Sequence, residues 1–160
     1  MEIPAATQRF LAAAAAAGLE VDPMVYPDGT KTSQDAAAAI GCPLGAIAKS
    51  MVFMIGDEPV IVLMAGDRRV DTAKLATLHG GEARRASLEE VRSHTGFAAG
   101  GTPPIGHPEP IATYADVSLR RYDPVWAAGG TPTTVFEIPL DKLIEVTRAL
   151  WADVSETPGA

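Results

Sequence analysis

The sequence predicts an α+β fold built around a mixed sheet. Helical and strand-like patterns alternate irregularly along the chain, unlike the regular alternation of a doubly wound sheet. The clearest signal is a pair of apolar runs at 49–55 and 59–65, which are joined by the polar turn Gly56-Asp57-Glu58. Both runs are continuously apolar instead of alternating, so we expect a central hairpin that is covered on both faces.

The composition indicates one domain over 1–160, long enough to bury a core without disulfides. The formal net charge of −7 argues against broad, nonspecific nucleic-acid binding, although a local basic rim is compatible with it. Cys42 is the only cysteine, so no intramolecular disulfide can form. The alanine-rich run 12–17 lacks the basic flank of a signal peptide and is too short to span a bilayer. We therefore expect a cytoplasmic protein with no membrane contact.

Capping residues mark the ends of several predicted helices. Thr32 or Ser33 is suited to begin a helix that Gly41 ends, and Ser87 opens a capping-box motif. Apolar residues recur at helical spacing over 140–154 and predict one long final helix. The expected helices are 4–17, 33–40, 72–79, 87–94 and 140–154; the expected strands are 20–26, 49–55, 59–65, 82–86, 111–114, 125–127 and 133–138, with a turn at 27–29.

A loop rich in glycine and proline, at 97–108, is a candidate binding element. Gly100 and Gly101 can adopt positive φ and allow a ligand to approach the backbone closely. Pro103 and Pro104 stiffen the chain directly after them. A surface connection is the alternative, but loops of this length in compact domains tend to be functional. If the loop contacts a ligand, a methyl group at Gly101 should reduce activity more than stability.

Basic residues are few and offer only a small contact surface for phosphates. Lys49 is expected at the mouth of the first hairpin strand, where it is either a solvated charge or a cation of the site. Six of the nine arginines occur in three adjacent pairs, which are either solvated surface or outer phosphate contacts. The candidate cations are Lys31, Lys49 and Lys74, with the arginine pairs 68–69, 84–85 and 120–121 outside them.

Common catalytic signatures are absent from the sequence. It has no Gly-x-Ser-x-Gly elbow, no Walker loop and no dinucleotide fingerprint. The three histidines are far apart and form no metal-binding pattern. His79 and His94 lie near predicted helix C-termini, where a positive charge is favoured. His107 lies inside the loop and is the histidine placed to face a ligand.

Several motifs follow one another in a recognisable order. Thr32 precedes an alanine-rich helix, Lys49-Ser50 opens an apolar strand, and two glycine turns follow at 100–104 and 129–130. This order resembles the YbaK/ProX family, the free-standing relatives of the editing domain of prolyl-tRNA synthetase. The resemblance covers about residues 30 to 150. It implies a mixed, barrel-like β-sheet flanked by helices, with no metal and no cofactor.

Members of this family hydrolyse the ester between a wrong amino acid and the 3′ end of a tRNA, most often the tRNA for proline. The resemblance implies a trans-editing deacylase for a small amino acid such as Ala or Cys. Its expected partners are the aminoacyl-tRNA 3′ end and prolyl-tRNA synthetase. The implied catalytic residues are Lys49 and Gly101, and the candidate substrate-binding residues are Tyr26, Thr32, Ser50, Gly100, Thr102, Pro103, Pro104, His107, Gly129 and Gly130.

Elementary chemistry is compatible with this activity. An aminoacyl ester is already activated, so its hydrolysis requires a positioned water and a stabilised oxyanion more than a protein nucleophile. Amides of the glycine loops can stabilise the oxyanion, and Lys49 can hold phosphate or ribose oxygens. Residue 50 varies among subgroups of the family, so Ser50 leaves the amino acid open. A non-catalytic module that binds tRNA ends or a synthetase is the alternative; the presence of Lys49 and both glycine turns favours the enzyme.

Overall fold

Helices and strands alternate irregularly in the computed structural model, as the sequence predicts. The structure describes residues 3–26 and 32–156, so the turn expected at 27–29 and Lys31 lie outside the described residues. In these ranges the helices are α1 (Ala5–Ala16), α2 (Ser33–Ile40), α3 (Thr72–His79), α4 (Leu88–Thr95) and α5 (Leu140–Thr147). The strands are β1 (Met24–Val25), β2 (Ala48–Ile55), β3 (Glu58–Ala65), β4 (Ala83–Arg85), β5 (Ala112–Asp116), β6 (Val125–Ala128), β7 (Thr134–Ile138) and β8 (Leu150–Ala152).

The predicted hairpin is the centre of a five-stranded sheet with the order β4-β2-β3-β5-β8. β2 and β3 are antiparallel over their whole length, from Ala48 opposite Ala65 to Ile55 opposite Glu58. β5 and β8 then extend the sheet in parallel on the β3 side. The smaller sheet has the antiparallel order β1-β7-β6. The α+β class with a mixed sheet is therefore confirmed.

The resemblance implies a barrel-like sheet, and in the described residues the strands form two sheets, which do not close into a complete barrel. They meet at an isolated parallel bridge between Ile47 and Trp126. β4 pairs with β2 only at 53–55, and one further bond joins the Ala86 amide to the Val52 carbonyl. Between this bridge and β4, residues 49–51 of β2 therefore have an open edge among the described residues, because the short β4 ends before it reaches them.

The predicted final helix over 140–154 is wrong in its second half. α5 ends at Thr147, and Arg148 adopts a left-handed conformation with φ 56°. The chain then forms β8, which pairs with β5. Leu150, Trp151 and Val154 do continue the helical spacing of apolar residues. Pairing with β5 instead gives the backbone of this segment a place in the sheet, which periodicity does not reveal.

The core is divided between the two faces of the central hairpin. On one face, Ile61 and Leu63 pack with Phe10 of α1 and Phe136 of the smaller sheet, whose rings lie 4.7 Å apart. On the other face, Phe53, Val62 and Met64 pack against Leu75 of α3. Each of residues 60–65 is fully buried, with 0% of its surface exposed. The prediction of a hairpin covered on both faces is therefore confirmed.

The predicted capping residues act at the ends of α2 and α4. The Thr32 hydroxyl accepts a hydrogen bond from the Asp35 amide, and Gly41 ends α2 with φ 84°. Ser87 and Glu90 form the predicted capping box of α4. The cap at Thr32 fixes the start of α2 beside the open edge of β2.

Candidate active site

A cavity of about 490 Å³ lies along the open edge of β2. Its wall also includes the N-terminus of α2, residues of β6 and β7, and part of the loop at 97–108. Five residues predicted for the site line it, namely Thr32, Lys49, Ser50, Gly100 and Thr102. The strand, the helix terminus and the loop therefore bring together residues that are far apart in the sequence.

The cavity wraps around the edge of β2. Consecutive side chains on a strand point to opposite faces, so Lys49 and Ser50 lie on opposite faces of the sheet. Both nevertheless line the same cavity, which therefore reaches both faces. We call the part at Lys49, Arg69 and Arg85 the cationic side, and the part at Ser50, Gly100 and Thr102 the loop side.

Lys49 is a half-buried cation whose side chain forms one hydrogen bond within the described residues. Its Nζ donates to the Arg68 carbonyl oxygen at 3.1 Å. Burial is the main cause that lowers the pKa of Lys49 below its ordinary value of 10.5, and the charges of Arg85 and Arg69 lower it further. Asp67 acts in the opposite direction. The ammonium group thus lies where an added anion would relieve both desolvation and repulsion.

Ser50 has a buried hydroxyl group that finds no hydrogen-bond partner among residues 3–26 and 32–156. Its main chain also faces the cavity, as the strand pattern shows. The Ile47 carbonyl accepts from Gly66 on the β3 side, whereas the Val52 carbonyl accepts from Ala86 on the opposite side. Because main-chain groups alternate along an antiparallel strand, the amide and carbonyl of Ser50 point to the open edge with those of Val52. The amide and carbonyl of Ser50 therefore point to the edge along which the cavity lies, and its unpaired hydroxyl is buried beside them.

The glycine amides differ in their availability. The amide of Gly101 donates to Ala98 O at 3.1 Å, that of Gly129 to Thr134 O at 2.8 Å, and that of Gly130 to Gly101 O at 3.0 Å. The amides of Gly100 and Thr102 donate to no group in the part of the chain that the structure describes. Because Gly100 and Thr102 also line the cavity, their amides are candidate donors for an oxyanion.

Gly101 and Gly130 each pack closely against another segment of the backbone. A Cβ built on Gly101 would lie 2.6 Å from the Cα and carbonyl carbon of Thr131. At Gly130, where φ is 108°, a Cβ would lie 2.9 Å from backbone atoms of Ala6 in α1. The close approach at Gly101 is thus made by the protein's own backbone, which differs from the ligand contact expected from the sequence.

His107 holds the loop in shape. Its Nε2 lies 2.9 Å from the Pro103 carbonyl oxygen, which can only accept, so Nε2 carries the proton. Burial lowers the pKa of His107 below 6.5, and the bond to Pro103 opposes this in part. The neutral ring is therefore favoured in the folded protein, where it connects the two ends of the proline segment.

The remaining predicted site residues lie outside the cavity wall. Tyr26 packs in a small apolar cluster with Ile47 and Trp126, beneath α2. Pro103 and Pro104 are buried in the loop behind Thr102. The predicted residues that do not line the cavity are Tyr26, Gly101, Pro103, Pro104, His107, Gly129 and Gly130.

Sequence analysis did not distinguish the arginines that lie at the cavity. Arg69 and Arg85 line it, whereas their sequence neighbours Arg68 and Arg84 do not. The alternation of side chains along β4 separates Arg84 from Arg85, but which of the two faces the cavity depends on the register of β4 with β2.

Lys74, another candidate cation from the sequence, does not line the cavity. Its Nζ donates to the Ser155 carbonyl oxygen at 2.8 Å and lies 3.5 Å from Asp153 Oδ1.

Neither a metal centre nor a membrane span was found among residues 3–26 and 32–156. No group of three or more His, Cys, Asp or Glu side chains there could hold a metal ion. No helix in the same ranges is long and apolar enough to cross a bilayer.

Comparison with known proteins assigns this fold to a class of protein, the editing domains of aminoacyl-tRNA. A solved structure described as a candidate trans-editing enzyme for prolyl tRNA synthetase matches with a TM-score of 0.94 and 38% identity, over 98% of this chain and 100% of that one. The chain belongs to the aminoacyl-tRNA editing domain family, whose profile matches residues 27–146.

Sequence relatives agree with this assignment. An uncharacterised Bacillus subtilis protein, YwhH, is 34% identical over 137 residues, which is 84% of this chain and 87% of the relative. EbsC of Enterococcus faecalis, described as a candidate Cys-tRNA(Pro)/Cys-tRNA(Cys) deacylase, is 24% identical over 78% of this chain and 77% of its own length. The predictions of a YbaK-like family and of a trans-editing aminoacyl-tRNA deacylase are confirmed.

Proposed function

We propose that this editing deacylase removes a small amino acid, such as Ala or Cys, from tRNA for proline, with Lys49 and the loop side of the cavity as its reaction centre. One relative is described as a candidate trans-editing enzyme for prolyl tRNA synthetase and another as a candidate Cys-tRNA(Pro)/Cys-tRNA(Cys) deacylase. The proposal extends these descriptions to this chain and adds Ala, which the family resemblance implies. It also makes prolyl-tRNA synthetase a candidate partner. The observation that carries the proposal is the joint placement, in one cavity, of a partly desolvated lysine and a buried hydroxyl without a partner.

The division of the cavity suggests how a tRNA end would lie in it. The cationic side suits the negatively charged backbone and the ribose oxygens of the terminal nucleotide. The loop side suits the amino acid, whose amino group would donate hydrogen bonds to the hydroxyl and carbonyl oxygens of Ser50. The ester would then lie at the edge of β2, between these two sides. A cavity of about 490 Å³ has the size of sites that enclose small ligands.

The reaction at this edge requires no protein nucleophile. A water molecule attacks the ester carbonyl carbon, and the oxyanion that forms is stabilised by the amides of Gly100 and Thr102. The carbon–oxygen bond to the ribose then breaks, the ribose oxygen takes up the proton, and the free amino acid leaves. Lys49 acts by charge and position, because its ammonium holds the ribose and phosphate oxygens that fix the ester in place.

Selection in such a cavity depends on size and on polar pairing. Apolar pockets separate amino acids that differ by one methylene only weakly, whereas an unpaired polar group discriminates strongly. Ser50 supplies the buried polar group here. We therefore expect small amino acids to enter, and those that satisfy the Ser50 hydroxyl to be hydrolysed fastest.

The direct test is a deacylation screen with tRNA for proline charged with Ala, Cys, Ser, Thr or Pro. Wild-type protein should hydrolyse at least one small, wrong amino acid and spare Pro. Lys49→Ala should lower that rate roughly 10²–10³-fold, as loss of a charge-stabilising group does in other active sites. Lys49→Arg should restore little, because the guanidinium group is larger and planar.

A matched control separates the effect of losing a positive charge in the cavity from the effect of losing a positive charge elsewhere on the protein. Lys142 is exposed, pairs with Glu145 at 3.6 Å and lies on α5, so Lys142→Ala removes the same charge without touching the cavity. Its deacylation rate should equal that of wild type. Turnover of none of the five substrates, or near-normal turnover in Lys49→Ala, would refute the proposal.

A further inference from the structure

The six paired arginines separate into engaged and unengaged side chains. Arg84 forms a two-pronged ion pair with Glu90, at 2.8 and 2.7 Å. Arg121 does the same with Asp67, at 2.8 and 2.5 Å, and Arg68 shares that carboxylate. Arg120 stacks on the Trp151 ring at 4.4 Å. For Arg69 and Arg85, by contrast, residues 3–26 and 32–156 provide no ion pair and no side-chain hydrogen bond.

The unengaged arginines are the two that line the cavity. Arg85 lies opposite Phe53 in the β2–β4 pair, and opposite residues in a sheet share a face. Phe53 lies four positions after Lys49, so Arg85 and Lys49 also share a face. Arg84 lies opposite Met54, on the other face. The register of β4 thus sends one arginine of the pair to the cavity and the other to Glu90.

Arg69 approaches the same place from the end of β3. It lines the cavity together with Lys49 and Arg85, and Lys49 Nζ donates to the carbonyl oxygen of the adjacent Arg68 at 3.1 Å. In agreement with this placement, the charges of Arg85 and Arg69 both lower the pKa of Lys49. Asp67, a carboxylate of the same loop, is already held by Arg121. Glu156 also lines the cavity but forms no ion pair with either arginine in the described structure.

Three neighbouring cations without their own carboxylates repel one another, and that repulsion is relieved by a bound anion. Guanidinium groups present paired N–H donors that match a phosphate in two-pronged geometry, whereas a lysine binds phosphate as a point charge. We propose that Arg69 and Arg85 form a phosphate clamp on the cationic side, which binds the phosphodiester that joins the terminal adenosine to the preceding nucleotide. This inference rests on the proposed function, since it assumes that a tRNA 3′ end enters the cavity.

The clamp can be tested by binding alone, with the trinucleotide CpCpA and an analogue whose last linkage is a neutral methylphosphonate. In an NMR titration, wild-type protein should bind CpCpA roughly tenfold more tightly than the neutral analogue, the factor that corresponds to one charge-assisted contact. Arg69→Gln and Arg85→Gln should each bind CpCpA more weakly and lose most of that preference. Their affinity for the neutral analogue should change little.

Arg84→Gln is the matched control, because it removes the same charge from the adjacent position of β4 on the opposite face. It should keep the preference for CpCpA. Equal binding of the two trinucleotides by wild type, no detectable binding of CpCpA, or an equal loss in Arg84→Gln would overturn the clamp. Inorganic phosphate serves as a third probe. An arginine variant that binds inorganic phosphate more weakly but binds CpCpA as tightly as wild type would also overturn the clamp.

The outcome can be separated from that of the proposed function, since the titration requires no turnover. If the phosphate preference is present but no charged tRNA is hydrolysed, the deacylase proposal fails and the clamp is retained. If charged tRNA is hydrolysed with no phosphate preference, the clamp fails and the deacylase proposal is retained.

Discussion

The two sides of the central hairpin differ in how their polar groups are satisfied. On the β3 side, the two ring nitrogens of His79 lie 2.8 Å from the Tyr114 hydroxyl and 2.7 Å from Glu58 Oε1. Asp116 is fully buried there, and its carboxylate accepts from the amides of Ser118 and Val154. Polar groups on this side therefore stabilise the fold directly.

On the β2 side, the polar groups of the cavity lack such partners. The Ser50 hydroxyl is buried and unpaired, and Arg69 and Arg85 make no ion pair within the described ranges. The difference follows from strand pairing: β5 and β8 complete the sheet beyond β3, whereas β4 covers only 53–55 of β2. Backbone amides and carbonyls without hydrogen-bond partners at a sheet edge cost free energy where water is excluded. Binding of a ligand at this edge is a physical reason for the fold to keep it unpaired.

The largest expected loss of stability on the paired side is that of Asp116→Ala. It would leave the amides of Ser118 and Val154 without their acceptor, at a cost of about 2–4 kcal/mol in the free energy of unfolding. Asp116→Asn keeps one acceptor oxygen and should cost less. Deacylation by the folded variant should remain near that of wild type. Denaturant unfolding beside a rate assay measures both, and a stable but inactive Asp116→Ala protein would break the distinction between the two sides.

Gly101→Ala should lose stability as well as activity. The new Cβ would meet the Thr131 backbone at 2.6 Å, and overpacking of this kind costs about 1–3 kcal/mol. The sequence alone led us to expect a loss of activity without a comparable loss of stability. A melting curve that is unchanged beside a lost deacylation rate would support that earlier explanation and contradict the packing role.

Ser50→Ala should show the opposite behaviour. Removing a buried hydroxyl that has no partner should change the free energy of unfolding by less than about 0.5 kcal/mol, while kcat/KM falls roughly tenfold with the loss of a ligand contact. Thr7→Val is the control, because Thr7 has the other buried, unpaired hydroxyl found in the described structure but does not line the cavity. It should leave the rate unchanged. A normal rate in Ser50→Ala would remove this residue from the proposed site.

Much of the fold could be predicted from local signals. The hairpin, the caps at Thr32 and Ser87 and every predicted strand have counterparts in the structure. The failure at 140–154 arose because helical spacing of apolar residues also suits a helix followed by a strand. The single domain over 1–160 stays a prediction.

The site could be predicted only in part. Lys49 and Ser50 are adjacent at the mouth of a strand, so their placement followed from one element. Which of Arg84 and Arg85 faces the cavity depends on the pairing of β4 with β2. Which of Gly100 and Gly101 packs against the protein backbone depends on how two turns that are distant in sequence contact each other. Such long-range register and docking are not encoded in local composition.

The pH dependence of kcat/KM tests most directly the claim that the unpaired cations of the cavity act on the substrate. Burial, Arg85 and Arg69 lower the pKa of Lys49. As the pH rises through this lowered pKa, the cationic fraction of Lys49 decreases. We therefore expect kcat/KM, corrected for uncatalysed hydrolysis, to decline at a pH lower than 10.5, the ordinary pKa of lysine. Arg85→Gln removes one repelling charge and should shift the fall to higher pH, whereas Arg84→Gln should not. An enzymatic rate that instead rises through the same pH range would mean that neutral Lys49 acts as a base and would contradict the account.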